Sequence, residues 1–277
     1  MIKADIHVHT SYSSDCKEPM ENQIKAAISK GIRTLCFTEH MDYDYPSDPA
    51  KEKDGRPEFF LDTDDYRKGF EKLRELYADK IELLFGVELG LQPYIVDWNT
   101  NYVNQYDFDF IIGSAHTIDH MDPYYPSFYE GRAEREAYSR YFLQACENIM
   151  KFDDFDAFGH LDYVVRYGPN KNKEYSYREY SDLIDPILKI LVDKGIALEI
   201  NTGGYRKGLG GPNPGADVVK RYRELGGELV TIGSDAHTAA TLAADFQFAK
   251  QLLLQCGFKY HAVYRARTPE LCPLGRA

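Results

Sequence analysis

Six of the eight histidines in this chain, His7, His9, His40, His116, His160 and His237, stand in or directly after short apolar runs. Glu88 closes another such run, Asp235 shares the run that ends at His237, and Asn201, with Glu199 two residues before it, ends a further one. A mixed set of imidazoles and carboxylates suits zinc, iron or manganese. His7-x-His9 and Asp235-x-His237 have the same spacing. Residues two apart in a strand point to one side, so each pair enters the same space together. Closing a barrel would set the first and last strands side by side and bring both pairs to one rim. A single strand-end histidine is ordinarily a hydrogen-bonded core or mouth residue. Repetition on His40, His116 and His160 argues instead for one shared metal site, and small residues precede several of these positions, as in Gly113-Ser114-Ala115-His116 and Phe158-Gly159-His160. Small neighbours let backbone approach a crowded centre.

Short apolar runs bounded by glycine or acidic residues predict buried strands over Ala4 to Val8, Thr34 to Thr38, Ile81 to Glu88, Phe108 to Gly113, Phe155 to Gly159, Ile196 to Ile200 and Leu229 to Gly233. Helical spacing lies between them. Met20, Ile24, Ala27 and Ile28 follow Pro19 on one face, Leu183, Ile184, Ile187, Leu188 and Leu191 form another, and Gly31 and Gly195 stand where helices end. Strand and helix in alternation mean a parallel sheet. An open doubly wound sheet would bind ligands at one switch point, usually with a glycine-rich first turn, and neither sign is present. Polar ends on nearly every strand fit a closed barrel with its chemistry at the C-terminal mouth. Seven strands and no eighth predict an irregular (β/α)7 barrel, a distorted TIM-like barrel, filling residues 1–277 as one domain. Residues 41–65 and 119–131, rich in Asp, Pro and Tyr, read as long βα loops shaping a pocket.

A net charge of −11 argues against nucleic acid or an anionic membrane as partner. Bound cations would supply the local positive charge that a small anionic substrate needs. The tyrosine-rich stretches, Tyr43, Tyr45, Tyr124, Tyr125, Tyr129, Tyr175, Tyr177 and Tyr180, lack interleaved basic residues and read as loop packing and pocket lining. Five scattered cysteines without CxxC spacing indicate neither a disulfide framework nor a zinc ribbon. With no signal peptide or membrane-length apolar run, cytoplasmic residence is expected. Arg166 and Arg206, and beside the latter Lys207, follow strand ends, where guanidinium forks match phosphate oxygens.

The chain resembles the PHP (polymerase and histidinol phosphatase) family. His7 and His9 match its first motif, Asp15 the polar ligand after it, His40 the second motif, Glu88 the bridging carboxylate, His116 and His160 the middle histidines, and Asp235 with His237 the closing motif. Some members carry histidine where this chain has Asp15. The resemblance implies three divalent metals (Zn, Fe or Mn): His7, His9, Glu88 and Asp235 on the first, Glu88, His116 and His160 on the second, and Asp15, His40 and His237 on the third. Within the family the chain is most similar to the histidinol-phosphate phosphatases, through His160 to Tyr167, Glu199 to Lys207 and Gly233 to His237. That likeness implies hydrolysis of a small-molecule phosphate monoester, L-histidinol phosphate, with Glu88, Arg166 and Asp235 catalytic and Arg166, Arg206 and Lys207 on the phosphate. Glu39 and Asp42 are the first candidates for the ammonium and imidazole of that substrate. The alternatives are a PHP-type phosphodiesterase or nuclease, which would need a basic approach path, and another small-molecule phosphatase. An amidohydrolase would leave His40 and His237 surplus, and a structural metal would be coordinatively closed.

Overall fold

Seven parallel strands follow one another around the sheet in sequence order: β1 (Ala4–Val8), β2 (Thr34–Met41), β3 (Glu82–Gly90), β4 (Phe110–Ser114), β5 (Ala157–Phe158), β6 (Ala197–Asn201) and β7 (Val230–Gly233). These strands belong to a computed structural model of the chain that describes residues 2–46, 48, 50–52 and 55–275. The ring nearly closes. Past the end of β7, Asp235 N donates to His7 O at 2.8 Å and His9 N to Ala236 O at 3.0 Å, joining the last strand to the first. Asp5, fully buried in β1, reinforces the seam by accepting Ser234 N at 2.9 Å, Ser234 Oγ at 2.6 Å and Ala243 N at 2.8 Å.

Among the described residues eight α-helices, α1 (Met20–Ser29), α2 (Thr63–Leu76), α3 (Val96–Val103), α4 (Glu134–Lys151), α5 (Ser181–Lys194), α6 (Gly203–Arg206), α7 (Ala216–Glu224) and α8 (Phe246–Gln255), punctuate the strands. The predicted face of α5 is the buried one: Ile184, Ile187, Leu188 and Leu191 pack inward, and the helix stops at Gly195 with φ of 68°. At that left-handed angle glycine carries no Cβ penalty. Burial on both faces explains why the strands read as continuous apolar runs rather than alternating ones, since helices cover one face and the barrel interior the other.

Two departures from the sequence reading have physical causes. The predicted strand over 155–159 shrinks to Ala157–Phe158 because the Asp156 carboxylate, not a backbone carbonyl, accepts Ile111 N at 2.8 Å. The C-terminus adds an antiparallel hairpin, β8 (Tyr260–Arg265) with β9 (Thr268–Pro273), outside the barrel sheet. It closes the end of the barrel away from His7, His9, His40, His116, His160 and His237. Ala262, Val263 and Tyr264 join Ala4, Ile6, Leu84, Phe110, Ile112, Ala157 and Ala197 in one apolar cluster, with the Tyr264 ring stacked on Phe110 at 5.1 Å. Within the expected 41–65 loop, residues 47, 49, 53 and 54 lie outside the described residues, as do residues 1, 276 and 277 at the ends. No described helix is long and apolar enough to cross a membrane.

Candidate active site

All the strand-end residues singled out above converge at the C-terminal mouth of the barrel. Glu88, with no solvent exposure, is the hub. Its Oε1 lies 3.0 Å from His116 Nε2, 2.8 Å from His160 Nε2 and 2.7 Å from Ser114 Oγ. Its Oε2 lies 3.1 Å from His7 Nε2, 3.3 Å from His9 Nε2 and 3.1 Å from His40 Nδ1. Asp235 is held with φ of 53°, a left-handed angle that Asp tolerates better than most residues, and this turns its Oδ1 to within 3.8 Å of His7 Nε2 and 3.5 Å of His9 Nε2. Asp15 reaches His237 Nε2 at 3.1 Å and His40 Nε2 at 3.8 Å. His40 and His237 stack on His9, with centroids 4.2 and 4.4 Å away.

The hydrogen bonds around the imidazoles decide which nitrogens carry protons. Glu199 accepts from His7 Nδ1 at 2.5 Å, and Asp42 accepts from His116 Nδ1 at 2.9 and 3.2 Å. Ser13 Oγ donates to Glu39 Oε2 at 2.6 Å, so toward His9 Nδ1, 3.2 Å away, it acts as acceptor. Each Nδ1 is therefore a donor, and in the neutral ring each Nε2 presents a lone pair. His7 Nε2 and His9 Nε2 nevertheless face one another at 3.1 Å with Glu88 and Asp235 beside them. Lone pairs and carboxylates aimed at common points need a cation between them, and the donor set fits divalent metal ions. Groups drawn from His7, His9, Glu88, from Glu88, His116, His160, and from His9, His40, His237 each bring ligand atoms within 4.8 Å of one another.

Electrostatics agree with the geometry. Burial opposes a charge on His7 and His116, but Glu199, Glu88 and Asp235 around the first, and Asp42 and Glu88 around the second, hold both well above the ordinary histidine range. Burial likewise works against ionised Glu88 and Asp235, yet His7, followed by His116 at Glu88 and by Arg166 at Asp235, holds them well below the carboxylate range. Carboxylates and imidazoles thus hold one another in their charged forms, while burial keeps His40 and His160 below the ordinary histidine range.

A cavity of about 620 Å³ opens over this cluster. Asp15, His40, His116, His160, Asp235 and His237 form its floor, with Arg166, Arg206 and Lys207 along one side, and the two long loops supply Tyr45, Lys51, Glu58, Phe59, Asp122, Tyr124 and Tyr125. Arg166 is only 4% exposed, and Arg206 is anchored on the carbonyls of Ser234 and Asp235. Burial first, and then Arg166, lowers the Lys207 ammonium from its usual value.

Glu39 and Asp42 fall elsewhere than expected. Glu39 is fully buried beneath the loop after β1, accepting Thr10 N at 3.0 Å, Thr10 Oγ1 at 2.5 Å and Ser13 Oγ, and it does not line the cavity. Successive residues of a strand face opposite ways, so with His40 inward Glu39 must point away. Asp42 does reach the cavity, but both its oxygens are engaged by His116 Nδ1, which makes it the residue that orients that imidazole. Gly90 leaves room for it, since a Cβ there would collide with the Asp42 carboxylate. The sequence reading passed over Ser13, and it named Glu199 and Asn201 as strand-end residues without their partners, which are His7 for the first and Arg166 for the second. For Glu199 a signal existed: it stands two residues before Asn201, the spacing of His7 and His9.

A family model described as the PHP domain matches residues 5–203. A protein of Clostridium acetobutylicum named "Probable histidinol-phosphatase" is 34% identical over 92% of this chain and 94% of its own length. The histidinol-phosphatase of Lactococcus lactis subsp. lactis is 30% identical over 95% of each. The crystal structure of histidinol phosphate phosphatase from Lactococcus lactis, complexed with zinc, L-histidinol and phosphate, superposes with a TM-score of 0.87, covering 97% of this chain and 98% of that one. A Listeria monocytogenes structure at 17% identity, TM-score 0.72, covering 89% of this chain and 99% of that one, shares the fold. Matched over most of its length in sequence and in structure, this chain belongs to the PHP family.

Proposed function

We propose that the chain is a metal-dependent histidinol-phosphate phosphatase, converting L-histidinol phosphate and water to L-histidinol and phosphate in histidine biosynthesis. The observation that carries this reading is Glu88, one buried carboxylate with five imidazoles on its two oxygens, beneath the His40, His116 and His160 floor of an open cavity with basic side chains along one side. The names of its relatives and the zinc, L-histidinol and phosphate in the Lactococcus lactis structure support it further.

Three ion positions suit the donors: His7, His9, Glu88 and Asp235; Glu88, His116 and His160; and Asp15, His40 and His237. Divalent ions there supply Lewis acidity, acidifying water and neutralising phosphoryl oxygens. The chain's own residues do the rest. Glu199 and Asp42 fix the His7 and His116 rings through their Nδ1 protons. Arg166 keeps one N–H on each Nη for a phosphate oxygen after its three protein bonds, and Arg206 and Lys207 add positive charge along the same side. Asp122, Glu58, Phe59 and Tyr124 on the loops present acid and aromatic surface suited to the ammonium and imidazole of the leaving alcohol. A cytoplasmic setting completes the proposal, supported by five free cysteines.

Phosphate release from L-histidinol phosphate, a generic monoester and a nucleotide diester, measured after metal removal and again after metal return, tests this reading. The expected result is metal-dependent turnover strongest on L-histidinol phosphate. Preference for the diester would favour the phosphodiesterase alternative instead.

A further inference from the structure

Arg166 reaches the cavity with very little freedom. Its Nε donates to Asn213 Oδ1 at 2.7 Å, its Nη1 to Asp235 Oδ2 at 2.9 Å and its Nη2 to Asn201 Oδ1 at 2.8 Å. Asn213, fully buried, pairs its backbone in both directions with Asn201 at 2.8 and 2.9 Å. Its Nδ2 donates to Asp162 Oδ1 at 2.6 Å, and Asp162, 2% exposed, also accepts Gly215 N at 3.2 Å. A chain of contacts thus runs from carboxylate to amide to guanidinium.

Each link in the chain has one workable orientation. A guanidinium only donates, so Asn213 must show it an oxygen, and an ionised carboxylate only accepts, so Asp162 must receive the amide NH₂. Asp162 thereby fixes which way the amide faces, and the amide fixes the plane of Arg166. Interposing a neutral amide transmits direction without setting a second carboxylate against the guanidinium. Asp235 is the one carboxylate hydrogen-bonded to Arg166 among the described residues, so positive charge is left for a ligand. Gly203 completes the arrangement, because a Cβ there would meet Asn201 Oδ1 at 2.7 Å and Arg166 Nη2 at 3.3 Å.

We propose that Asp162 and Asn213 are positioning residues for phosphate recognition, aiming the two remaining N–H groups of Arg166 into the reaction cavity. The proposal rests on the reading of Arg166 as a phosphate-binding residue. Asp162 stands in none of the candidate metal-ligand groups among the described residues, so its effect is separable from metal loss.

A double-mutant cycle on the metal-loaded enzyme tests it, with wild type, Asp162→Asn, Arg166→Ala and the double variant compared. The readouts are kcat and KM for L-histidinol phosphate, inhibition by inorganic phosphate, and metal content. Asp162→Asn keeps the shape but leaves one acceptor oxygen for two donors, Asn213 Nδ2 and Gly215 N, so the amide is no longer held firmly against the guanidinium. The expected result is phosphate inhibition weakened about tenfold with a matching rise in KM, metal content unchanged, and no further loss when the change is added to Arg166→Ala. Equal losses in both backgrounds, or none in the wild-type background, overturn the positioning role. If Arg166→Ala itself leaves phosphate inhibition unchanged, the phosphate-binding reading fails, and this proposal falls with it. Should Asp162→Asn not fold, Asn213→Ser carries the same cycle with the same two readings.

Discussion

Replacing Glu88 by Gln removes one charge and almost no volume. The carboxylate it replaces lies within 3.3 Å of five imidazole nitrogens, with Ser114 Oγ donating to its Oε1 at 2.7 Å. Gln keeps an oxygen for Ser114 and turns an NH₂ toward His7, His9 and His40, where its two protons can be accepted by two of the three ring nitrogens in metal-free protein. The fold is therefore expected to survive, and chelated wild type and variant should give matching circular dichroism. Metal loading changes the balance. A unit charge about 4 Å from one net positive charge, at an effective dielectric of about 20, is worth about 4 kcal/mol. At about 1.4 kcal/mol per tenfold, the loss is on the order of 10³ in kcat/KM for L-histidinol phosphate. Phosphate-release kinetics and metal content by plasma mass spectrometry, run on the same preparations, read both effects. Full metal content together with full activity in Glu88→Gln would refute the bridging role and the argument built on it.

Other perturbations separate the contributions of neighbouring parts. Asp42→Asn leaves His116 without its carboxylate partner and should reduce activity about 10- to 100-fold with weaker metal retention, measured by titrating metal into stripped protein; unchanged metal affinity would return Asp42 to a role in substrate contact. Tyr264→Ala, at the closed end of the barrel, removes a ring 3% exposed and its bond to Asp156 O, and should lower stability by about 3–5 kcal/mol in urea titrations without changing kcat of the folded fraction. For His261, burial lowers the pKa from 6.5 to about 4. The unfolded chain then takes up a proton near pH 6.5 and the folded one only near pH 4. The stability associated with neutral His261 is complete above pH 6.5 and is lost as pH falls toward 4, by about 3 kcal/mol. His261→Gln should show a shallower decline over that window, and parallel pH profiles for the two proteins would contradict the assignment.

The parts of this molecule that repeat were legible in its sequence. Seven apolar runs gave the strands, and their polar ends gave the ligand positions, because a barrel delivers every strand's C-terminal end to one mouth whatever the helices between do. His7 and His9 could be paired from a two-residue spacing alone. What depended on three-dimensional neighbours was not legible. Glu39 and Asp42 are two and five residues past Phe37, yet only the strand's alternation and the seat beside Gly90 decide that one supports the Thr10–Ser13 loop and the other the His116 ring. Asn213 comes from a glycine- and proline-rich turn without periodicity, and its meaning appears only when Asn201 and Arg166 are packed against it. The hairpin over 260–273 was missed as strand pairing because it packs against the barrel's closed end instead of joining its sheet.

The most direct test of the metal cluster is anomalous scattering from crystals of the purified protein, collected at the zinc, iron and manganese edges. The account predicts anomalous peaks among His7, His9, Glu88 and Asp235 and among Glu88, His116 and His160, with a third beside Asp15, His40 and His237. Crystals of a preparation active on L-histidinol phosphate that show no anomalous density between these side chains would contradict it.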